Sequence, residues 1–506
     1  KVYNFSNIRY AAPPLAKLRF SPPQTPTSNY SSVNDGLDSR ICPQATAGWL
    51  FTSAQWAPAY IASGVLPNIT DSAVPASGST PTVRDPRENE DCLFLDVFAP
   101  ARVFDNLHNN QSVPVVVYLH GGGFTSGSKD DAVFNGLIQR TQTEHQRDII
   151  FVAINYRLGA FGFLSGLEFS KSGTPNAGLW DQRLALQWVQ DKIHLFGGDQ
   201  TQVTVAGNSA GGGSIVQHMT AFGGTSKPAF QKAFVGSAAV LMSGSPTQED
   251  RSFLEYLQTA NVSSLDEARA ASSDTLIQAN AAQIGGAGYG SFSFGPSIDG
   301  SFITEDSKAL LKDGKFDKSI SVLVAHNTNE GLGFAPPVHD DAGFRSLEVR
   351  TFPNANASVI DYIVNDLYPP IFNGTLPYHE QVGRSAFVTT ESYFTCTSYA
   401  LQSAVKKSYG YLFNILPALH VADSGYMFYD PSSNKTINAT VVHVLQDYLI
   451  NFILHGAPES RFDGLTSVPK YGEGANLVQI NANNITIAKD PAANPRCKWW
   501  EQVLYN

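Results

Sequence analysis

A serine stands at the predicted junction of a strand and a helix. Residues 207–211 read Gly-Asn-Ser-Ala-Gly, the pattern G-x-S-x-G centred on Ser209. Valines typical of a short buried strand precede it, and a predicted helix, Ser214 to Thr220, follows. In this context the pattern indicates a nucleophile elbow, a tight turn that aims a serine hydroxyl outward. Because the chain has 42 glycines, the motif by itself could arise by chance, and the other residues that a catalytic serine needs must decide whether it is functional.

A serine hydroxyl needs a base to take its proton and a third group to orient that base. In α/β-hydrolases these follow in the chain order serine, acid, histidine. We predict Glu330, in a Gly/Asn-rich turn after a strand, as the acid, although a surface carboxylate is the alternative. We predict His420, in a loop after a late strand, as the base. His443 and His455 compete, but they lie in or beside an apolar helical pattern and favour packing or surface roles.

A run of three glycines follows another predicted strand. The N–H groups of Gly122 and Gly123, together with that of Ala210, would form an oxyanion hole, in which each donor contributes roughly 3 kcal/mol of transition-state stabilisation. His120 precedes the run and is predicted to orient it. A plain turn is the alternative, whereas a Walker phosphate loop is excluded because no Gly-Lys-Ser/Thr follows.

Strands alternate with helices along the chain, which predicts an α/β protein with a largely parallel sheet and helices on both faces. Besides the strand before the serine, the predicted strands are Asp91–Ala99, Val113–His120, Asp148–Asn155, Ala233–Gly236, Ser319–Ala325 and Tyr409–Ile415. The predicted helices, besides the one after the serine, are Leu179–Phe196, Ser252–Ala282 and Val441–Leu454. Each candidate group follows a strand, and the loops after parallel strands meet at one edge of a sheet. The length of the chain, taken alone, suggests about three domains. No linker or repeat divides the chain, and its loosest stretch, Ser72 to Arg87, is predicted to be a loop, so we expect residues 1–506 to form one domain.

Composition excludes several classes of function. The net charge is −10 and the 34 basic residues are scattered, so we expect no nucleic-acid partner. No apolar run is long enough to span a bilayer. We expect the start, Lys1-Val2-Tyr3, to be a processed or trimmed end, because it has no signal peptide.

Two features favour secretion. Ten N-x-S/T sequons are candidates for glycosylation, and they lie at Asn4, Asn29, Asn68, Asn110, Asn261, Asn356, Asn373, Asn434, Asn438 and Asn484. Four cysteines fit neither a zinc pattern nor a C-x-x-C redox pair, and an even number favours two disulfides in an oxidising compartment. Of three connectivities we favour Cys42–Cys92 with Cys396–Cys497, and four buried free thiols remain the alternative.

Residues 43–91 lie between the first two cysteines and have a mixed, loop-like character. If a disulfide joins their ends, they form a flap with a large apolar face. Such a flap could cover a pocket for acyl chains, or its apolar side chains could simply pack against the rest of the chain. Those side chains are Trp49, Leu50, Phe51, Trp56, Tyr60, Ile61, Val65 and Leu66.

Segments spread along nearly the whole chain resemble one family. They are Tyr10-Ala-Ala-Pro-Pro, Leu18-Arg-Phe20, Glu90-Asp-Cys-Leu-Phe-Leu-Asp96, His120-Gly-Gly-Gly-Phe124, Asn155-Tyr-Arg-Leu-Gly159, Gly178-Leu-Trp-Asp-Gln182, Ala185-Leu-Gln-Trp-Val189, Phe196-Gly-Gly-Asp199, Gly207-Asn-Ser-Ala-Gly211, Asn329-Glu-Gly331 and His420. Jointly they are similar to the type-B carboxylesterase/lipase family, which includes cholinesterases and secreted fungal esterases and lipases. The resemblance implies an α/β-hydrolase fold with a disulfide-closed flap. It also implies hydrolysis of carboxylic esters through an acyl-enzyme, without metal or cofactor.

The resemblance also assigns residues. The family's catalytic serine, acid and histidine fall on Ser209, Glu330 and His420, and its oxyanion donors fall on Gly122, Gly123 and Ala210. Its flap disulfide matches Cys42–Cys92, its C-terminal disulfide resembles Cys396–Cys497, and its structural ion pairs correspond to Arg19–Glu90 and Arg157–Asp181.

The chain departs from the family pattern in four places. Asn208 replaces the glutamate that often precedes the nucleophile, which disfavours a cationic choline-type substrate. Residues 236–240, Gly-Ser-Ala-Ala-Val, replace a more usual Ser-Gly-Ser and leave the acyl-pocket shape open. The family's middle disulfide is absent, and the chain begins late, as if an N-terminal strand or two were missing.

Three functions follow from these residues. The first is a secreted serine esterase that acts on small-molecule esters, and the second is a lipase or sterol esterase that contacts a lipid interface. A non-catalytic binding protein is the third, which the intact Ser/Glu/His set disfavours. The oligomeric state stays open, because C-terminal helices mediate dimers in some members of the family that the chain resembles, but Trp499 and Trp500 could equally cap the domain.

Overall fold

The structure is a computed structural model that describes residues 1–27, 34–67, 84–109, 112–131, 133–240, 244–433 and 436–505. Its strands are β1 Val2–Arg9, β2 Phe94–Pro100, β3 Val113–Leu119, β4 Ile150–Ile154, β5 Gly198–Asn208, β6 Lys232–Gly236, β7 Ser321–Asn327, β8 Ser408–Phe413, β9 Asn476–Ile480 and β10 Ile485–Lys489. Of the predicted loop Ser72 to Arg87, residues 72–83 lie outside the described ranges.

One sheet contains all ten of these strands, in the order β1-β2-β4-β3-β5-β6-β7-β8-β9-β10. The seven strands from β4 to β9 are parallel, as predicted, and both edges are antiparallel: β1 and β2 at one edge, β10 at the other. All seven predicted strands are present, whereas β1, β9 and β10 were not predicted. The fold is that of the α/β-hydrolases.

The described helices lie between these strands in the chain, except the last, which follows β10. They are α1 Trp49–Ser63, α2 Ala101–Phe104, α3 Asn135–Thr143, α4 Gly159–Phe163, α5 Leu167–Ser170, α6 Ala177–Lys192, α7 Ala210–Thr220, α8 Pro246–Thr259, α9 Leu265–Ala270, α10 Ser273–Gly285, α11 Ser307–Lys312, α12 Asp341–Thr351, α13 Ala357–Tyr362, α14 Gln381–Thr389, α15 Cys396–Ala404, α16 Ser424–Met427, α17 Ala439–His455 and α18 Pro495–Trp500. None of them combines the length and the apolar character needed to cross a membrane.

Both faces of the sheet are apolar, which explains why its strands show no alternation of apolar and polar residues. On β3, Val115 and Val117 belong to the hydrophobic cluster that includes α6 and α7. Their neighbours Val116 and Tyr118 belong to the cluster that includes α3 and α17. Successive side chains of a strand point to opposite faces, so each central strand contributes to two cores.

One helix prediction was wrong in its boundaries, and one helix was not predicted. The predicted helix from Ser252 to Ala282 is three helices, α8, α9 and α10, because Ser264 and Ser272 each cap a new helix with a side-chain hydrogen bond. Residues 49–63, predicted as loop, form the helix α1, which ends at Gly64 in a left-handed conformation (φ 68°). Pro58 lies inside α1, although proline removes a backbone donor and is unfavourable in the interior of a helix.

The covalent and ionic links implied by the family resemblance are all present. Disulfides join Cys42 to Cys92 and Cys396 to Cys497. The buried ion pairs Arg19–Glu90 and Arg157–Asp181 each have a closest N–O distance of 2.7 Å. Because a buried charge is costly unless it is paired, each pair fixes the relative position of two distant segments.

The flap helix α1 packs against the body of the protein. Trp56 is fully buried, and Trp49 stacks against Tyr289, Phe292 and Phe334 at ring-centre distances of 5.1 to 5.6 Å. The flap therefore forms part of a wall rather than a free apolar face, although Phe51 and Val65 are exposed. At the other end of the chain, Trp499 and Trp500 are buried among aromatic side chains of the same chain.

Candidate active site

A single residue separates the central strand β5 from helix α7. The strand ends at Asn208, the helix begins at Ala210, and Ser209 between them has φ 57° and ψ −124°, which residues with side chains rarely adopt. The Ser209 N–H donates to the Gly236 carbonyl (2.9 Å), and its carbonyl accepts from the Ala239 N–H (3.0 Å). Backbone hydrogen bonds to the end of β6 and to the residues that follow it therefore hold the turn.

Gly211 is required by close approach of the backbone. A Cβ at Gly211 would lie 2.0 Å from the Leu119 carbonyl oxygen and 2.9 Å from that of His120. A Cβ at Gly207 would lie 2.7 Å from the carbonyl carbon of Gly211. Helix α7 thus starts directly against the end of β3, which brings the serine next to the glycine run.

The structure brings the three predicted catalytic residues together. The His420 Nε2 atom lies 2.8 Å from the Ser209 Oγ, and the His420 Nδ1 atom lies 2.5 Å from the Glu330 Oε2. Ser209 and Glu330 follow β5 and β7 directly, whereas His420 lies in the loop after β8. The three residues meet because the carboxyl ends of parallel strands lie at the same edge of the sheet.

The second oxygen of Glu330 is also fully used. It accepts hydrogen bonds from the Ser237 Oγ (2.7 Å), the Asn327 N–H (2.6 Å) and the Asn327 Nδ2 (3.3 Å). Burial by itself raises the pKa of Glu330, but the facing His420 and the hydrogen bonds from His420, Ser237 and Asn327 together lower that pKa below its ordinary value of 4.5. The carboxylate is therefore charged above about pH 4.5 although it is completely buried.

The glycine run lies against the serine. A Cβ at Gly121 would be 3.1 Å from the Ser209 Cβ, and Gly122 and Gly123 both have positive φ (103° and 61°). Among the described residues, no hydrogen bond uses the N–H of Gly122, Gly123 or Ala210. These are the three groups predicted as oxyanion donors, and they are free to bind a ligand oxygen.

The other candidate histidines are elsewhere. His120 is buried, its ring stacks on Tyr156 at 4.3 Å, and its Nδ1 lies 2.9 Å from the Gly121 carbonyl, which suits the predicted role of orienting the glycine run. His443 packs on Phe462 along α17, and His455 is exposed at the end of that helix. Neither contacts Ser209 or Glu330.

Aromatic side chains enclose the imidazole of His420. The ring centre of Phe394 is 4.5 Å away and that of Phe334 is 4.9 Å away. Phe334 in turn contacts Trp49 of the flap helix. This apolar enclosure lowers the local dielectric and strengthens the hydrogen bonds of His420.

A cavity of about 430 Å³ lies behind this aromatic wall. Ser209 and His420 do not line it, but Phe292 and Phe334 do. Phe334 contacts the His420 ring, and a Cβ at Gly123 would lie 2.3 Å from the Phe292 ring. Phe292 and Phe334 therefore border both the cavity and the Ser209 site, and we infer that the cavity is where a group of the substrate would be accommodated.

Sequence reasoning missed three polar residues of the site. Ser237 directly follows β6 and Asn327 ends β7, so the rule that found Ser209 would have found them too. Asp423 is hydrogen-bonded to the Asn327 Nδ2 (3.0 Å) and to the Tyr411 hydroxyl (2.6 Å), and only its place three residues after His420 could have indicated it. Asn208, noted as a departure from the family, is buried with both amide atoms unpartnered among the described residues.

The known proteins to which this chain is similar include carboxylesterases and lipases. The sequence profile of the carboxylesterase family matches residues 1–500. Carboxylesterase patB from Penicillium expansum is 39% identical over 100% of this chain and 93% of its own length. A secreted lipase from Arthroderma benhamiae is 30% identical over 82% of this chain and 83% of its own length. The crystal structure of EstA from Aspergillus niger superposes with a TM-score of 0.81, at 25% identity, and covers 99% of this chain and 94% of that one.

The elbow geometry predicts the effect of a small substitution. We expect Gly211→Ala to lower the thermal unfolding temperature strongly, with a loss of stability of about 3 kcal/mol or more, because its methyl group would overlap the Leu119 carbonyl. Gly425→Ala is the control, because a Cβ there meets nothing within 4 Å and we expect a change below about 0.5 kcal/mol. Equal unfolding temperatures for the two variants would contradict the close packing of α7 on β3.

Proposed function

The chain belongs to the carboxylesterase family and is a carboxylic-ester hydrolase, and we propose that it works as a serine esterase with Ser209, His420 and Glu330 as its catalytic residues. The observation that carries this proposal is the His420 imidazole, whose two nitrogens lie 2.8 Å from the Ser209 hydroxyl and 2.5 Å from the Glu330 carboxylate. A base within hydrogen-bond distance of a nucleophile, itself oriented by a third group, is the arrangement that nucleophilic catalysis requires.

The first half of the proposed reaction acylates the serine. The Ser209 Oγ attacks the ester carbonyl carbon while the His420 Nε2 takes its proton. The carbonyl oxygen becomes an oxyanion and accepts hydrogen bonds from the N–H groups of Gly122, Gly123 and Ala210. The imidazolium then gives its proton to the alkoxy oxygen, the alcohol leaves, and an acyl-enzyme remains.

Water completes the cycle. His420 takes a proton from a water molecule, the hydroxide attacks the acyl carbon, and a second oxyanion forms in the same hole. Collapse of this intermediate breaks the bond to the Ser209 Oγ, which regains its proton from the imidazolium, and the carboxylic acid is released. Glu330 stays ionised in each step, keeps the Nδ1 proton facing it and stabilises the imidazolium.

The sheet and the disulfides also support a proposal about how the whole chain is organised. We propose that residues 1–506 act as one α/β-hydrolase domain, with residues 43–91 as an inserted flap, because one sheet takes strands from residue 2 to residue 489. A small-molecule ester is the proposed substrate.

Secretion is also proposed. Two disulfides and a secreted relative support it. The six described sequon asparagines, Asn4, Asn261, Asn356, Asn373, Asn438 and Asn484, are all exposed. Asn29, Asn68, Asn110 and Asn434 lie outside the described residues.

Removing the nucleophile tests the proposal directly. We expect Ser209→Ala to lower the kcat for p-nitrophenyl acetate by about 10⁴-fold or more, because no acyl-enzyme can form. Circular dichroism and the unfolding temperature should stay close to those of the unsubstituted protein. A fluorophosphonate probe should label the parent protein and the control Ser301→Ala, whose serine is exposed and remote from His420, but not Ser209→Ala. Retained hydrolysis or labelling in Ser209→Ala would refute the proposal.

Replacing the acid tests its orienting role. We expect Glu330→Gln to lower kcat/KM by about 10³- to 10⁴-fold, because a glutamine amide facing Nδ1 leaves the proton on Nε2, where the base must accept. Since the pKa of Glu330 is lowered from 4.5, the parent enzyme keeps its carboxylate between pH 5 and 9, and the defect should persist over that range. Glu305→Gln at an exposed surface pair is the control. A Glu330→Gln enzyme within tenfold of the parent would argue against this role.

A second candidate, a lipase, is favoured by the secreted lipase relative and by the exposed Phe51 on the flap helix. The two candidates differ in their response to an interface. With tributyrin we expect the rate to saturate below the solubility limit of this ester, as for an esterase. The reason is that Trp49 and Trp56 of the flap are already packed against the protein and so do not bind a lipid surface. A jump in rate above that limit, lost in Phe51→Ser, would favour the lipase.

A further inference from the structure

The cavity behind the aromatic wall contains an unpaired positive charge. Arg350 lines the cavity from the last turn of α12, its side chain is exposed, and no described residue forms an ion pair or hydrogen bond with its guanidinium. Arg345, earlier in the same helix, is instead paired with Asp361 (2.6 Å), and Arg384 is paired with Asp341 (2.6 Å). An arginine without a partner beside a cavity is suited to bind an anion, because its planar guanidinium matches a carboxylate.

The one carboxyl group of the described lining, Glu249, does not cancel this charge at mildly acidic pH, and Asp250 and Asp299, which lie near Glu249, are not part of that lining. Glu249 lines the cavity, and burial raises its pKa to about 7, although a hydrogen bond from Ser165 opposes the shift. Glu348 is buried near Tyr393 but does not line the cavity, and burial raises its pKa to about 8, although Arg384 opposes the shift. Burial also raises the pKa values of the lining phenols Tyr289 and Tyr393, so they stay neutral. Below about pH 7 the described lining therefore carries the positive charge of Arg350 and little negative charge.

The cavity also has the size and position of a substrate subsite. Its volume of about 430 Å³ falls in the range of small-molecule sites, and it is bounded toward His420 by Phe334. Aromatic and aliphatic side chains such as Phe292, Phe294 and Leu347 line it together with serine and threonine hydroxyls. A chain of several methylenes ending in a polar group fits this mixed lining.

We propose that the preferred substrates of this esterase are esters that carry a free carboxylate, which Arg350 binds at the far end of this cavity. The inference rests on the proposed function, because it assumes that the ester bond is cleaved at Ser209. Arg350 acts as a specificity residue and takes no part in bond breaking. The carboxylate belongs either to the acyl group or to the alcohol group of the ester.

Matched esters test the proposal and separate its two forms. On the acyl side, monoethyl adipate is compared with ethyl hexanoate, and on the alcohol side, 6-acetoxyhexanoate is compared with hexyl acetate. The quantity measured is the ratio of kcat/KM for the charged ester to that for the neutral ester at pH 6. We expect this ratio to exceed one in one of the two arms and to fall by about tenfold in Arg350→Gln, mainly through KM. Ratios below one in both arms, or an unchanged ratio in Arg350→Gln, would overturn the proposal.

Two control variants sharpen the comparison. Arg345→Gln removes a charge from the same helix outside the cavity and should leave the ratio unchanged, and Arg350→Lys should keep part of the preference. The preference of the parent enzyme should weaken at pH 8.5, where Glu249 ionises, and Glu249→Gln should preserve it there. Because each ratio compares two esters at one pH, any titration within the catalytic residues cancels.

Binding to an inactive variant separates this inference from the proposed function. Calorimetry with Ser209→Ala should show tighter binding of the charged ester in the favoured arm than of its neutral counterpart, and a further Arg350→Gln substitution should remove the difference. Hydrolysis of ethyl hexanoate that depends on Ser209, without any preference for charge, would leave the esterase proposal standing and end this one. Charge-dependent binding in a protein whose turnover does not need Ser209 would refute the esterase proposal and leave standing only the binding of a carboxylate by Arg350.

Discussion

The carboxylate of Glu330 is a buried negative charge, and the organisation of the site follows from the need to compensate it. An isolated carboxylate in a protein interior costs several kcal/mol, so it persists only if charged or polar donors surround it. Ser237 after β6, Asn327 at the end of β7 and His420 after β8 supply these donors. Their hydrogen bonds join three parallel strands at one edge of the sheet. The imidazole held by this charge is the group that lies next to Ser209.

A second buried carboxyl shows how selective this compensation is. Asp423 connects to the same network through the Asn327 side chain. Burial raises its pKa, and the negative charge of Glu330 adds to that rise, while hydrogen bonds from Tyr411 and Asn327 oppose it. The pKa of Glu330 moves in the opposite direction. Neighbouring acids with pKa values driven apart have distinct roles, and the negative charge is favoured on the carboxyl that faces the imidazole.

The sequence predicted the parts of the fold that depend on local pattern or on strand order. Ser209, Glu330 and His420 could be found because each lies after an apolar strand, and parallel strands bring such positions together. The outer strands β1, β9 and β10 were not predicted, since β10 has no fully buried residue and β1 mixes apolar and polar residues without regular alternation. Helix α1 was missed because its apolar residues have no single face and because it contains Pro58. Its packing depends on Tyr289, Phe292 and Phe334, which are far away in sequence.

Tertiary contacts of this kind also decide what the site can accept. The disulfide between Cys42 and Cys92 and the ion pair between Arg19 and Glu90 hold the base of the flap. Trp49 of the flap then packs against Phe292 and Phe334. Phe292 lies against Gly123 and Phe334 lies against His420, and both side chains also line the cavity with Arg350. The chemistry near Ser209 is therefore set by strand ends, whereas the shape and charge of the cavity are set by the helices that cover them. Substitutions in the covering helices can change which ester is accepted without disturbing the buried charge on which the site depends.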